Sequence, residues 1–374
     1  MNISASIKAL VVVFALGAGC FTAPAQGIRR QLGRVIGQGE NKENRMIIPA
    51  QSVGVKSQKQ MDDVRLYRNI IRKNNWYVGV GEPLTAETAA HLPFYFRLSM
   101  CNDRGHWQHI EALHADTMTN AHHQSIYVLD KDNDVSEANA RWRERLQRVT
   151  QWFMVPDLDG NLMLEERGLD PDGTIIYSYI PVVNADGTVT GSYNDSWGLP
   201  VDTRVEEGTT YGSVVHIVTD ACGRDSIVDF LDGTGRRKYN NNRVDQQRYR
   251  YDDSDRVTLV TSHNMVGDLT TDNWGNAGVR YEYDDAARTV SRTVLDRNMR
   301  PVRMPALRAG YAQTYIRAVT SLDEWGRDKT VEMFDAEGNP DETTGGIHRI
   351  EYEYASDGRL LRTRYFNLKG EERL

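Results

Sequence analysis

From Trp152 onward, short runs in which apolar and polar residues alternate are separated by four-residue turns of the form Asp-x-x-Gly. The turns are Asp157 to Gly160, Asp170 to Gly173, Asp220 to Gly223, Asp232 to Gly235, Asp272 to Gly275, Asp323 to Gly326 and Asp335 to Gly338, with Asn184 to Gly187 and Asn367 to Gly370 as close variants. Aspartate accepts hydrogen bonds from its own turn backbone, and glycine takes the positive φ that closes such a turn without steric cost. Neighbouring turns are often 12 to 14 residues apart, which leaves eight to ten residues per strand. The pattern predicts a mainly β fold of antiparallel hairpin repeats that form an extended or curved sheet over residues 151–374.

The texture is different upstream. From Met61 to about Asn75, Val64, Tyr67, Ile70 and Ile71 recur at three- and four-residue steps, a period that predicts one helix. A second helix is expected near 136–149, with Ser136 as N-cap and Ala138, Trp142, Leu146 and Val149 as its apolar stripe. Between them, Phe94 to Leu98, Ile110 to Leu113 and Ser125 to Leu129 read as strands rich in aromatic and β-branched residues. Residues 61–150 are therefore expected to be a mixed α/β capping domain, after a polar, glycine-rich lead-in over 26–60.

A longer period lies over the turns. Asp220-Ala-Cys-Gly-Arg224-Asp225 matches Asp323-Glu-Trp-Gly-Arg327-Asp328 at an offset of 103, and the register then holds without a gap through Tyr249/Tyr352, Tyr251/Tyr354, Arg256/Arg359 and Gly267/Gly370. A partial middle copy runs through Asp272-Asn-Trp-Gly275 and Tyr281-Glu-Tyr-Asp-Asp-Ala-Ala-Arg288. Self-similarity at fixed period marks a repeat architecture, whose hairpins bury their apolar faces only by stacking on neighbours. The unit Tyr-x-Tyr-Asp/Ala-x-x-Gly/Ala-Arg resembles the tyrosine-aspartate (YD) repeats of the Rhs family over roughly residues 157–374. That resemblance implies β-strand assemblies used for binding or enclosure in exported bacterial proteins, with no shared catalytic residue. The array is shorter than that of an Rhs shell, and Ala355 replaces the Asp of the last Tyr-Asp pair.

The start of the chain reads as a secretory signal: a short basic start ending at Lys8, an apolar run of 13 residues from Ala9 to Phe21, and Ala23-Pro24-Ala25 at the cleavage position. The run is shorter than the roughly 18–20 residues a membrane-spanning helix needs. The expected product is exported and periplasmic, cell-surface or secreted, without a transmembrane segment. The alternative is a lipoprotein signal ending in Cys20, which the leucine spacing fits less well, because Leu16 lies four residues before the cysteine. Cleavage after Ala25 removes one charged residue, Lys8, and moves the net charge from −7 to −8. An acidic chain without a lysine- and arginine-rich tract lacks the footprint of a nucleic-acid binder. Two cysteines remain, Cys101 and Cys222, whose pairing the sequence leaves open.

Residue types suited to chemistry are few and local. Five of the nine histidines fall within 18 residues, as His106, His109, His114, His122 and His123, just after Cys101. Imidazole and thiolate suit zinc, so His106, His109 and His114 are the metal candidates, and a metal-dependent hydrolase centred on 101–123 is the alternative function. No recognised ligand spacing accompanies them, and ordinary polar packing is the better account. Asp130-Lys-Asp132-Asn-Asp134 begins like a calcium loop but has Val135 where glycine is required and Arg141 where the bidentate glutamate belongs. The repeat turns Asp157-Leu-Asp159-Gly160 and Asp170-Pro-Asp172-Gly173 also cluster carboxylates, and turn chemistry explains them without calcium. Cys222 with His216 and Asp220, or Cys101 with His106, supplies the residue types for thiolate attack, without the context of a known nucleophile motif.

Three tryptophans, Trp197, Trp274 and Trp325, each precede the glycine of a turn and form the candidate binding ladder. Turn-borne indoles can stack on sugar rings or on a partner, or they can cap the next hairpin. The reading that follows is a non-catalytic scaffold for a protein or glycan partner, with no cofactor required.

Overall fold

The computed structural model describes residues 63–114, 117–118, 148–199, 213–232, 234–239, 244–272, 275–303 and 315–373. Residues 136–147 of the helix expected near 136–149, the strand expected over 125–129, the cleavage and lipidation sites, and His122 and His123 lie outside them, while Arg148 and Val149 are described and are not helical.

In the segment expected to be helical, 61–75, the described residues 63–75 are instead β strands and turns. It holds β1 (Val64–Tyr67) and β2 (Ile70–Lys73), and β2 turns back through Asn74 and Asn75 into β3 (Trp76–Gly79). Lys73 faces Trp76, and the two asparagines between them have φ of 48° and 70°. Two consecutive positive φ values are the signature of a type I′ hairpin turn, and asparagine is among the few residues that reach them cheaply. The spacing of Val64, Tyr67, Ile70 and Ile71 satisfies a helical period by coincidence. The aromatic and β-branched content, with the Asn-Asn pair, decides the structure.

One short helix follows, α1 (Ala86–Ala90), capped by the Thr85 hydroxyl, which accepts from the Thr88 backbone N–H. Then come β4 (Tyr95–Cys101), β5 (Trp107–His114) and β6 (Thr117–Met118). A meander continues through β7 (Gln151–Pro156), β8 (Met163–Leu169), β9 (Ile175–Val183), β10 (Val189–Asp195), β11 (Ser213–Thr219), β12 (Asp225–Asp232), β13 (Gln246–Tyr251) and β14 (Val257–His263). It ends with β15 (Gly278–Asp284), β16 (Thr289–Leu295), β17 (Arg317–Leu322), β18 (Asp328–Phe334), β19 (Arg349–Tyr354), β20 (Leu360–Phe366) and β21 (Glu372–Arg373). All but β2 and β3 belong to one 19-stranded antiparallel sheet, and it does not close into a barrel. β1 pairs with β4, β4 with β5 and β5 with β7, after which each strand pairs with its successor.

The 103-residue offset survives as geometry. β12 meets β13 at Ile227↔Arg248, Val228↔Gln247 and Asp229↔Gln246, and β18 meets β19 at Thr330↔Glu351, Val331↔Ile350 and Glu332↔Arg349, the same register shifted by 103. The bulges at Val218/Thr219 and Arg250/Tyr251 recur at Ser321/Leu322 and Glu353/Tyr354. A bulge re-aims the strand leading into its turn, so its recurrence fixes where each turn points.

The β2–β3 hairpin packs its aromatic residues against the sheet. Tyr67, Trp76 and Tyr77 are buried with Phe96, Leu98, Trp152, Met154, Tyr177, Tyr179, Val228 and Tyr249 in one apolar cluster. Each such aromatic removes roughly 150–250 Å² from water, about 4–6 kcal/mol of transfer free energy as an upper figure. A second cluster of Val294, Tyr315, Ala318, Val331, Met333, Ile347 and Ile350 serves the later hairpins.

Candidate functional site

The repeat turns are joined to one another by arginine. In the turn opened by Asp220, the carboxylate Oδ1 accepts from the backbone N–H of Cys222 (2.8 Å) and Arg224 (3.0 Å), while Oδ2 accepts from Arg224 Nε at 2.7 Å. The guanidinium then lies over the Tyr251 ring, 4.8 Å from its centroid, and donates Nη1 to the Asp252 carbonyl of the next turn at 2.8 Å. Arg256 repeats the arrangement, with Nε on Asp252 Oδ2 (2.7 Å), the Tyr283 ring at 4.3 Å and Nη1 on Asp285 Oδ1 (2.6 Å). Arg327 does so again, with Nε on Asp323 Oδ2 (2.6 Å), Tyr354 at 4.7 Å and Nη1 on the Ala355 carbonyl at 3.4 Å. A planar donor fork on an aromatic face suits arginine and not lysine. Because the acceptor is the main-chain carbonyl in two of the three cases, Ala355 replaces aspartate without breaking the staple.

The tyrosines close the same units from the other side: Tyr251 donates to the Asp225 carbonyl at 2.7 Å, and Tyr283 to the Val257 carbonyl at 2.9 Å. The Tyr-x-Tyr-Asp sequence is therefore the joint between hairpins. Burial works to raise the Asp220 carboxyl, yet the hydrogen bonds from Arg224 and Cys222 outweigh it and hold the group below its ordinary range.

The N-terminal segment straps across these turns. The Asn74 backbone N–H donates to the Gly223 carbonyl at 2.7 Å, and Lys73 Nζ reaches Asp255 Oδ2 at 2.5 Å. Arg327 Nη1 also donates to the His91 carbonyl (3.0 Å), the His91 ring stacks on Trp325 with centroids 3.8 Å apart, and His91 Nδ1 donates to the Ser356 carbonyl at 2.6 Å.

Two arginines of the strap serve the two repeat copies. Arg72 donates Nη2 to Glu166 Oε2 at 2.9 Å and to the Tyr77 hydroxyl at 2.9 Å, with its guanidinium over the Tyr179 ring at 4.7 Å. Tyr177 donates to Glu166 Oε1 at 2.8 Å and accepts from Trp152 Nε1 at 3.1 Å. Asp225 is buried beside them and is pushed up to about 6 by burial, with Arg72 opposing and Asp220 adding. One guanidinium thus faces two buried carboxylates, Glu166 and Asp225. Its repeat mate Asp328 is also pushed up to about 6 by burial, with Arg68 of the strap opposing. Burial lowers Arg68 itself, and it is packed against Gly326.

The histidine segment does not converge. His106 stacks on Trp76, with centroids 4.4 Å apart and planes 8° apart, and its Nδ1 donates to the Gly160 carbonyl. His109 lies between Gln151 (Nε2 to Oε1, 3.0 Å) and Ser99 (Nδ1 to Oγ, 3.3 Å), while His114 donates Nδ1 to the Pro93 carbonyl. His109 and His114 are five apart on β5, an odd step that puts them on opposite faces of the sheet. Among the described residues no group of three or more His, Cys, Asp or Glu side chains is placed to hold a metal ion, so the geometry does not favour the hydrolase alternative.

Cys101 is half-buried and Cys222 exposed, and the two are not joined by a disulfide. His216 Nδ1 pairs with Asp229 Oδ2 at 3.2 Å, while Asp220 is taken by Arg224, so Cys222, His216 and Asp220 do not assemble as a nucleophile, base and orienting group. The hydrogen bond to Asp229 raises the His216 imidazole above its ordinary value.

Of the tryptophan ladder, Trp197 stands 67% exposed at its turn, Trp325 is covered by His91, and Trp274 lies outside the described residues. Leu199 is exposed in the same turn as Trp197, and Leu158, Met265 and Val266 are exposed on other turns.

No protein-family model matches the chain, and no curated protein sequence matches it. Among solved structures it is similar to the Photorhabdus luminescens Tc holotoxin pore carrying a TccC3 mutation, at 11% identity and a TM-score of 0.21, over 81% of this chain and 17% of that one. It is also similar to the TcdB2–TccC3–Cdc42 crystal structure, at 12% identity and a TM-score of 0.19, over 73% of this chain and 16% of that one. The chain spans less than a fifth of the length of either.

Arg68, Arg72 and Glu166 carry no motif in the sequence. An Asn-Asn pair signals the turn that follows Arg72, but nothing in the sequence connects Arg68 or Arg72 with its carboxylate partner. Asp225 and Asp328 were visible as the residue that follows Asp-x-x-Gly-Arg in both copies.

Proposed function

We propose that the chain is a non-catalytic, exported interaction scaffold whose stapled β-hairpins present one continuous surface to a protein or glycan partner. The observation that carries this reading is the staple itself. Three arginine–tyrosine joints tie turn to turn along the sheet, so the charged and aromatic groups of these joints are occupied in making a stiff surface. Rigid arrays of stacked repeats form extended faces that recognise partners over many shallow contacts. Trp197, with Leu199 beside it in the same exposed turn, supplies an amphipathic anchor of the kind enriched at interfaces and sugar sites. Export rests on the signal-like first 25 residues, and a YD-type repeat function on the Tyr-x-Tyr-Asp sequence.

The experiment is retention of ligand from the extracellular fraction on immobilised residues 26–374, with the ligand identified, purified and titrated back. The reading expects saturable binding that weakens in Trp197→Ala. A reconstituted ligand that is turned over chemically by the chain would replace the scaffold with an enzyme.

A further inference from the structure

The face of the sheet turned away from the apolar clusters carries a row of arginines across β13 to β17. Tyr249, Val260, Tyr281, Val294 and Ala318 belong to those clusters or pack against them, so their sequence neighbours Arg250, Leu259, Arg280, Thr293 and Arg317 point to the other side. Successive cross-strand partners put these five in line, as Arg250↔Leu259, Leu259↔Arg280, Arg280↔Thr293 and Thr293↔Arg317. An arginine therefore recurs on every second strand, at a step of about 10 Å. Arg248 lies beside the row, opposite Thr261.

These guanidiniums lack the partners that hold the staple arginines. Arg250 and Arg280 are exposed and, among the described residues, neither is hydrogen-bonded or ion-paired. Arg317 has Ser291 Oγ at 3.0 Å and the exposed Glu282 only at 3.9 Å, while Arg248 donates Nε to Gln246. The 103-residue offset shows the contrast. The mates of Arg248 and Arg250 are Glu351 and Glu353, and those of Leu259 and Thr261 are Arg362 and Arg364. In the last copy opposite charges face each other across β19 and β20, as Glu351↔Arg364 and Glu353↔Arg362, and Glu351 pairs with both Arg349 (3.0 Å) and Arg364 (2.9 Å). The first copy keeps the strands and replaces that balanced face with unpaired positive charge, in a chain whose net charge is −7.

We propose that the outer face of β13 to β17 binds a linear acidic polysaccharide with one carboxylate per disaccharide, the glycan lying across the strands along Arg250, Arg280 and Arg317. Each guanidinium offers a carboxylate a planar donor fork, and Leu259, half-buried between the first two, gives a sugar ring an apolar contact. The step of about 10 Å suits charges carried on alternate sugars and not a nucleic-acid strand, which has one phosphate per about 3.4 Å. No aromatic ring stands between the arginines to stack a base. The inference rests on the interaction-scaffold reading and narrows it to one face and one ligand chemistry.

The test is isothermal titration calorimetry of residues 26–374 with a hyaluronan oligosaccharide long enough to span the row, beside neutral dextran and single-stranded oligothymidylate. The Arg250→Ala/Arg280→Ala double variant is compared with Arg104→Ala/Arg359→Ala, which removes the same charge from two exposed turns off the row. Expected is saturable hyaluronan binding that weakens with added salt, falls about tenfold or more in the first variant and changes less than about twofold in the second. All four arginines are exposed, so the variants fold, and circular dichroism verifies this. No saturation up to about 1 mM, equal losses in the two variants, dextran bound as tightly as hyaluronan, or tighter binding of the oligothymidylate overturns the proposal. Failure here removes this face alone, whereas failure of the ligand-retention experiment removes the scaffold reading itself.

Discussion

Replacing Arg72 with alanine is expected to undo the docking of the N-terminal strap. The guanidinium and the Glu166 carboxylate are 2.9 Å apart, with side chains 6% and 1% exposed, so the variant leaves an uncompensated carboxylate in the interior. Removing one partner of a buried pair costs about 3–5 kcal/mol, because the remaining charge keeps its full desolvation penalty. The variant also loses the donor to the Tyr77 hydroxyl and the contact with the Tyr179 ring. Adding Glu166→Gln removes the stranded charge, so the double variant is expected to recover more than half of the loss. A long repeat sheet does not unfold as one unit, so the readout is local hydrogen exchange in peptides covering 70–79 and 163–169. A cost of 3–5 kcal/mol lowers protection there by about two to four orders of magnitude. Protection unchanged within a factor of five, or a double variant worse than Arg72→Ala, refutes the assignment of Arg72 as the clamp.

Among the staples, Arg224→Ala and Arg327→Ala are each expected to cost about 1–2 kcal/mol by hydrogen exchange in peptides across the stapled turns and Arg359→Ala less than about 0.5, because only the first two cover a ring. Equal costs for all three would contradict the joint. Asp225 is raised to about 6, so its proton stays on the folded chain while the unfolded chain loses it. Its contribution is therefore fully present below about pH 4, falls as pH rises from about 4 to 6 and is absent above. Asp225→Asn is expected to flatten that fall by up to about 3 kcal/mol, measured as hydrogen-exchange protection in peptides covering 220–232 from pH 4 to 8, and an unchanged slope would place the titration elsewhere. Gly223→Ala and Gly235→Ala share a strained positive φ, 79° and 82°, but a Cβ at Gly223 would come within 2.5 Å of the Asn74 side chain while the space at Gly235 is open. The Gly223 variant is expected to be the worse of the two by about 1 kcal/mol or more in melting experiments, since both lose about 1–2 kcal/mol from φ alone. Equal losses would mean that Asn74 does not pack on that turn.

The repeats were legible because their structure is local. An Asp-x-x-Gly turn satisfies its own hydrogen bonds, so the strand boundaries and the 103-residue offset follow from sequence, down to the recurrence of a bulge before Tyr251 and Tyr354. The N-terminal segment was misread because its apolar residues serve a three-dimensional neighbour. Tyr67, Trp76 and Tyr77 are placed by the sheet residues they are buried against, and the spacing of Val64, Tyr67, Ile70 and Ile71 carries a helical period only incidentally. Arg68 and Arg72 act on carboxylates that lie far away in sequence, Asp328 and Asp225, and no spacing rule connects them. The histidine cluster shows the converse: close in sequence, its members are separated by strand alternation and by individual hydrogen bonds.

Elemental analysis tests the central claim most directly, namely that these side chains serve a scaffold and not a reactive centre. Residues 26–374, purified without metal-affinity chromatography, would be measured beside the His106→Ala/His109→Ala double variant. The account predicts far less than one metal per chain in both. About one zinc per chain in the parent, lost in the variant, would contradict it and make the segment around His106 the functional site.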